Sequence, residues 1–126
     1  MTTTVTLAFP AHARNAALAR VVAAAMAARA DLPIDQLEDV RLAVDEAVSQ
    51  LIIDAPGDGT VTCTFEVEGT TLDVSVSAPS STGLPPARDT FSWTVMSALV
   101  DSVTASVDAG SVTLALHITR HLPVEA

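Results

Sequence analysis

Polar and apolar residues alternate from Thr4 to Phe9, with Val5, Leu7 and Phe9 on one side and Thr4, Thr6 and Ala8 on the other. Period-two alternation predicts a strand with one buried face, and Pro10, which has no N–H for a ladder, ends it. Ala11 to Ala30 is alanine-rich and helix-forming. Leu18, Val21, Val22, Ala25 and Met26 make its predicted buried stripe, and the other side carries Ala13, Ala16, Arg20, Ala23, Ala24 and Ala27. Asp31-Leu32-Pro33 breaks that helix. A second runs from Pro33, suited to a first turn, to about Ile53, with Asp35, Glu38 and Asp39 near its positive end. Its stripe is Leu37, Val40, Val44, Val48, Leu51 and Ile52, with Ala43 and Ala47 filling in. Glu46 and Gln50, four apart on its shoulder, can face a pocket formed with neighbouring elements.

Residues 54–59, Asp-Ala-Pro-Gly-Asp-Gly, read as a turn cluster. Thr60 to Glu68 and Thr71 to Ala78 then alternate as two strands joined at Glu68-Gly69-Thr70. Val61, Cys63, Phe65 and Val67 share one face, as do Leu72, Val74 and Val76. A Ser- and Pro-rich loop leads to Asp89 or Thr90, either of which can cap a third helix through about Asp101, with Phe91, Val95, Met96 and Leu99 inward. Val103 to Val107 and Val112 to Thr119 are the last strands, and Leu122 to Ala126 reads as a frayed tail.

Every predicted strand has one apolar and one polar face, so helices cover one side of the sheet only. The expected fold is an α/β (α+β) two-layer sandwich, a mixed, mostly antiparallel sheet of about five strands with three helices on one face, in the order β-α-α-β-β-α-β-β. No linker splits the chain, so residues 1–126 are expected to form a single domain.

Composition narrows the function classes. Fifteen acids against six basic residues give a net charge of −9, and the basic residues are all arginine. Such a chain repels phosphate backbones, which argues against direct nucleic-acid binding and favours a basic protein partner. No apolar run reaches the ~20 residues of a membrane span, and Met1-Thr2-Thr3-Thr4 lacks the basic and apolar regions of a signal peptide. A cytoplasmic protein without membrane contact is expected. Cys63, the single cysteine, reads as a small core residue, and His12, His117 and His121 show no metal or triad spacing.

The chain resembles, over almost its whole length, the RsbW-type anti-sigma factors, small serine protein kinases of the GHKL (Bergerat-fold) ATPase superfamily. Asn15-Ala16-Ala17-Leu18-Ala19-Arg20-Val21 resembles the first-helix segment that ends in Ala-Arg. Glu46-Ala47-Val48-Ser49-Gln50-Leu51-Ile52 resembles the motif with Glu and Asn four apart. Residues 72–77 resemble the strand leading to the adenine-binding Asp, and residues 91–101 the helix after the second glycine box, with a Phe-Ser-Trp start similar to actinobacterial members. The resemblance implies a protein that sequesters an RNA polymerase sigma factor, is countered by a STAS-type anti-anti-sigma factor, and forms a homodimer. Kinase-active members phosphorylate the antagonist with Mg-ATP.

Carried onto this chain, Glu46 is the catalytic base, and Gln50 and Asp54 stand at the nucleotide and metal positions. Arg20, Asn15, Ala16 and Ala13 are the expected partner-binding residues, with Arg20 a lone guanidinium on a low-relief face. The pattern is broken where nucleotide chemistry is concentrated. Gln50 replaces Asn with a stem one methylene longer, Asp54 stands where His is common, and Ala78 occupies the adenine-Asp position. Ala78-Pro79-Ser80-Ser81 and Thr90-Phe91-Ser92-Trp93 carry β-carbons where glycine lets backbone approach phosphate. The expected function is therefore sequestration with nucleotide use weakened or lost and no cofactor required. The alternative is an active kinase with Glu46 as base and Gln50 on Mg.

Overall fold

The computed structural model describes residues 1–122. The elements are β1 (Thr2–Pro10), a short 3-10 turn (Ala13–Asn15), α1 (Ala16–Arg29), α2 (Ile34–Asp54), β2 (Thr60–Glu68), β3 (Thr71–Pro79), α3 (Phe91–Leu99), β4 (Ser102–Asp108) and β5 (Ser111–Thr119). The five strands form one open sheet in the order β1-β2-β3-β5-β4. Every ladder is antiparallel, so the expected mixed sheet is corrected to a purely antiparallel one. Tight turns at Gly69 and Gly110, both with positive φ, join β2 to β3 and β4 to β5 and leave no room for a parallel crossover there.

Alternation sets the faces. Val61, Cys63, Phe65, Val67, Leu72, Val74, Val76, Leu114, Leu116 and Ile118 are buried under the helices, and the intervening Thr, Ser, Asp and Glu positions stay at least partly exposed. Together with Val40, Val44, Val48 and Met96 they belong to one contiguous core. Burial pushes the Cys63 thiol up to about 12, so it packs as an inert apolar residue. The edge strand β1 is less covered than its pattern predicts. Phe9 is buried, Leu7 is half-buried and Val5 is exposed.

Helix α1 is turned relative to the expected orientation. Ala16, Ala19, Ala23, Met26 and Ala27 face inward, whereas Leu18 and Val21 are 50% and 68% exposed. Nearly every residue of α1 is apolar, so its pattern points in no single direction. The alanines go inward because small side chains let α1 lie close against α2, and larger ones there would force the helices apart. In α3 the same kind of correction applies to Phe91, which is 84% exposed, while Trp93 and Met96 are buried. Thr90 is the cap: its Oγ1 accepts from the Trp93 N–H at 3.2 Å. The helix ends at Leu99, short of Asp101.

The α1–α2 turn is fixed by backbone chemistry. Leu32 N–H donates to Ala27 O at 3.1 Å and Asp31 N–H to Ala28 O at 3.0 Å, with Asp31 at φ +58°. This is the paired-bond, left-handed stop that ends many helices. The Asp31 carboxylate also accepts from Arg120 Nη1 at 2.7 Å, tying the turn to the end of β5. The tail expected from Leu122 lies outside the described residues beyond Leu122 itself, which is exposed.

Candidate functional site

Two polar constellations flank α2. On the flank facing α1, Arg20 Nη1 donates to Asp45 Oδ1 at 2.8 Å, with the two side chains 39% and 33% exposed. Asp45 reaches α1 because α1 and α2 run antiparallel side by side after the short turn at Asp31. Leu42 on α2, which is exposed, borders the pair, and Val21 and Leu18, also exposed, lie further round the outer face of α1. In helical geometry Leu42 lies one turn from Asp45, and Leu18 and Val21 lie one turn apart on the outer face of α1, so the cation sits at the α1–α2 border with Leu42 beside it and an apolar strip further out. It suits a partner presenting a carboxylate among apolar side chains.

On the opposite flank lies the cleft between α2, the end of β3 and the loop before α3. Its lining includes Gln50, Leu51, Asp54, Ala78, Pro79, Leu84 and Pro86, and its free volume is about 10 Å³. That is room for about one water, far less than a purine. The loop is folded down onto it: Ser81 N–H donates to the Asp54 carbonyl at 2.7 Å, and Ser80 N–H to the Gly110 carbonyl at 2.9 Å. Ser80 Oγ accepts from Gly83 N–H at 3.1 Å, which tightens the bend. None of the lining residues is basic. Ala78 is 3% exposed and offers no acceptor for a base. These residues do not fit a magnesium triphosphate, which needs cations or free amides on the phosphates and open oxygen ligands on the metal.

The other polar clusters lie on the sheet and at its β4 end. On the open face, Glu66, Asp73, His117 and Ser102 form one row across four strands. Asp73 Oδ1 and His117 Nδ1 are 2.6 Å apart, which relieves the like-charge pairing of Glu66 with Asp73. A shallow groove of about 190 Å³ runs over them. At the start of β4, Asp101 accepts from Thr119 N–H at 2.7 Å and pairs with His121. Partial burial alone would raise the Asp101 carboxyl, but the Thr119 N–H and His121 outweigh it and hold it below the usual carboxylate range. Among the described residues no three His, Cys, Asp or Glu side chains gather as a metal site.

A family model for the histidine kinase-like ATPase domain matches residues 9–117. The chain belongs to that family. Two curated relatives are both named anti-sigma-F factor RsbW and come from Mycobacterium tuberculosis strains CDC 1551 / Oshkosh and ATCC 25618 / H37Rv. Each is 37% identical over 93 residues, covering 74% of this chain and 55% of the relative. The chain thus spans about half the length of the curated relatives it matches. Among solved structures, the RsbU and RsbW domains of Rv1364c from Mycobacterium tuberculosis match 96% of this chain and 35% of that one, with TM-score 0.71 and 16% identity. That likeness is one of fold.

Within this histidine kinase-like ATPase domain the predicted residues separate into distinct groups. Gln50, Asp54 and Ala78 line the closed cavity together, and Glu46, half-buried one turn earlier, does not. Arg20 is at the surface and Ala13 is exposed. Asn15 spends its side-chain amide on its own chain, donating to Pro10 O at 2.9 Å. Ala16 is corrected: at 4% exposure it belongs to the core beneath α1 and offers no partner surface. Leu18, Val21, Leu42 and Asp45 were missed. An alanine helix hides which hydrophobes face out, and no local signal links Arg20 to an acid 25 residues away.

Proposed function

We propose that this histidine kinase-like ATPase domain acts in the cytoplasm as an anti-sigma factor. It sequesters a sigma factor of RNA polymerase on the outer α1–α2 surface and is countered by a STAS-type antagonist. The observation that carries this reading is the half-exposed Arg20 at the α1–α2 border, beside the exposed Leu42 and next to an outer α1 face that exposes Val21 and Leu18. Arginine is enriched among the few side chains that carry most of an interface's binding energy, and adjoining apolar surface helps to exclude water around it. The curated relatives named anti-sigma-F factor RsbW support the same assignment. A net charge of −9 speeds encounter with a partner that carries basic DNA-binding helices. The polar sheet face and free sheet edges support a homodimer as the working unit.

Sequestration here requires no nucleotide, a reading supported by the closed cleft and the uncharged side chain at Ala78. The test is calorimetric titration of the chain with a purified sigma-F-type factor, with and without Mg-ATP. Arg20→Ala is expected to weaken binding by about 2 kcal/mol while leaving the fold intact. Equal affinity of Arg20→Ala and wild type removes this docking surface. The kinase alternative rests on the retained Glu46. Saturable Mg-dependent ATP binding, altered by Glu46→Ala or Gln50→Ala, would establish it in place of nucleotide-free sequestration.

A further inference from the structure

We propose that Asp45 is a positioning residue for partner binding: it holds Arg20 in its docking orientation without itself contacting the partner. This inference rests on the docking surface proposed above and adds to it the device that makes Arg20 effective. Arg20 uses only Nη1 on Asp45, and its Nη2 and Nε make no hydrogen bond among the described residues. A guanidinium is a planar fork, so anchoring one nitrogen fixes the plane and the direction of the other donors. The free edge can donate to a partner carboxylate in a two-pronged bond, with the exposed Leu42 one turn from Asp45 limiting access of water on that side. The partner surface that fits is one carboxylate ringed by apolar side chains.

Asp45 has two opposing effects, and their sizes decide the sign. Its negative charge repels an incoming carboxylate across the guanidinium. At about 7 Å in a half-exposed, high-dielectric setting, that repulsion weakens binding by less than about twofold at physiological salt. A long, freely rotating arginine must also be ordered when the partner docks. Holding it beforehand improves affinity by about three- to tenfold. Positioning therefore outweighs repulsion, and removing Asp45 should weaken binding even though it removes an acid from the path of another acid.

The experiment is a double-mutant cycle read by calorimetry with a purified sigma-F-type factor, using wild type, Arg20→Ala, Asp45→Ala and Arg20→Ala/Asp45→Ala. Thermal unfolding of each variant confirms the fold. Asp45→Ala is expected to weaken binding about two- to fivefold in the wild-type background, the positioning gain less the repulsion, and to cause no further weakening once Arg20 is gone. Asp45→Asn, which keeps a carbonyl acceptor for Nη1, should restore affinity to within about twofold of wild type. A structural role for Asp45 would produce neither the coupling nor the rescue. If Arg20→Ala binds like wild type, the docking surface itself fails. If Arg20→Ala weakens binding but Asp45→Ala is neutral, tighter or additive, the positioning inference alone is overturned.

Discussion

The two flanks of α2 began from adjacent residues and ended in opposite conditions. Asp45 turns toward α1 and joins a half-exposed ion pair beside the exposed Leu42, whereas Glu46 is succeeded on its own flank by Gln50 and Asp54, which line a cavity of about 10 Å³. One flank keeps apolar area and a cation in solvent, where they contribute little to stability and are free to bind. The other has packed its own loop into the space that the family resemblance reserves for a nucleotide. The lesson is that one helix can keep an ion pair and apolar side chains in solvent on one flank while a loop closes the cleft on the other.

The comparison can be broken most forcefully at the closed flank. Leu51 is 5% exposed and lines the small cavity, so Leu51→Ala should cost about 2–5 kcal/mol in urea denaturation. A loss below about 1 kcal/mol would mean that the cleft is loosely packed. On the open flank, truncation should spare stability. Val21→Ala is expected within about 0.5 kcal/mol of wild type. Ala23→Leu, by contrast, pushes a larger side chain into the 0%-exposed helix interface and should cost about 1–3 kcal/mol. The reverse ranking would restore the orientation of α1 first read from its pattern.

Nucleotide sharpens the comparison further. A ligand present at about a hundredfold its dissociation constant stabilises a fold by about 2.7 kcal/mol, a shift of several degrees in a domain of this size. Millimolar Mg-ATP is expected to move the melting temperature by less than about 1 °C. A rise of several degrees would reopen the closed flank.

The smallest effect concerns Asp101, at the far end of the α2–α3 side. Its folded-state carboxyl is held below the usual range, so its stabilising contribution is present above the unfolded value and is lost as pH falls through the folded one. The stability gap between wild type and Asp101→Asn should therefore shrink as pH falls below about pH 4. A gap that does not change with pH would refute the assignment.

Much of the fold was legible because its signals are local. Alternation in β2, β3 and β5 marked the buried face residue by residue, the α3 cap was narrowed to Asp89 or Thr90, of which Thr90 is the one used, and the turn at Gly69 showed its glycine. The site was less legible. Ala78 and Gln50 could be read as departures from a family motif, but the loop closure made by Ser81 on Asp54 and by Leu84 and Pro86 depends on contacts that no spacing reveals. Phe91 was misplaced because a nine-residue helix offers too few turns to fix a direction.

By itself the sequence determined the order of elements, the polar face of the sheet, the acidity of the surface and the absence of glycine where phosphate would need close backbone. The first three follow from nearest neighbours or from composition, and the last from the family resemblance. Tertiary structure decided which side of α1 is outside, that Arg20 meets Asp45, and that the cleft beside Gln50 is shut. In an all-apolar helix or a Pro-rich loop, many packings satisfy the local chemistry equally well. Only the volumes and reach of side chains from distant elements choose among them.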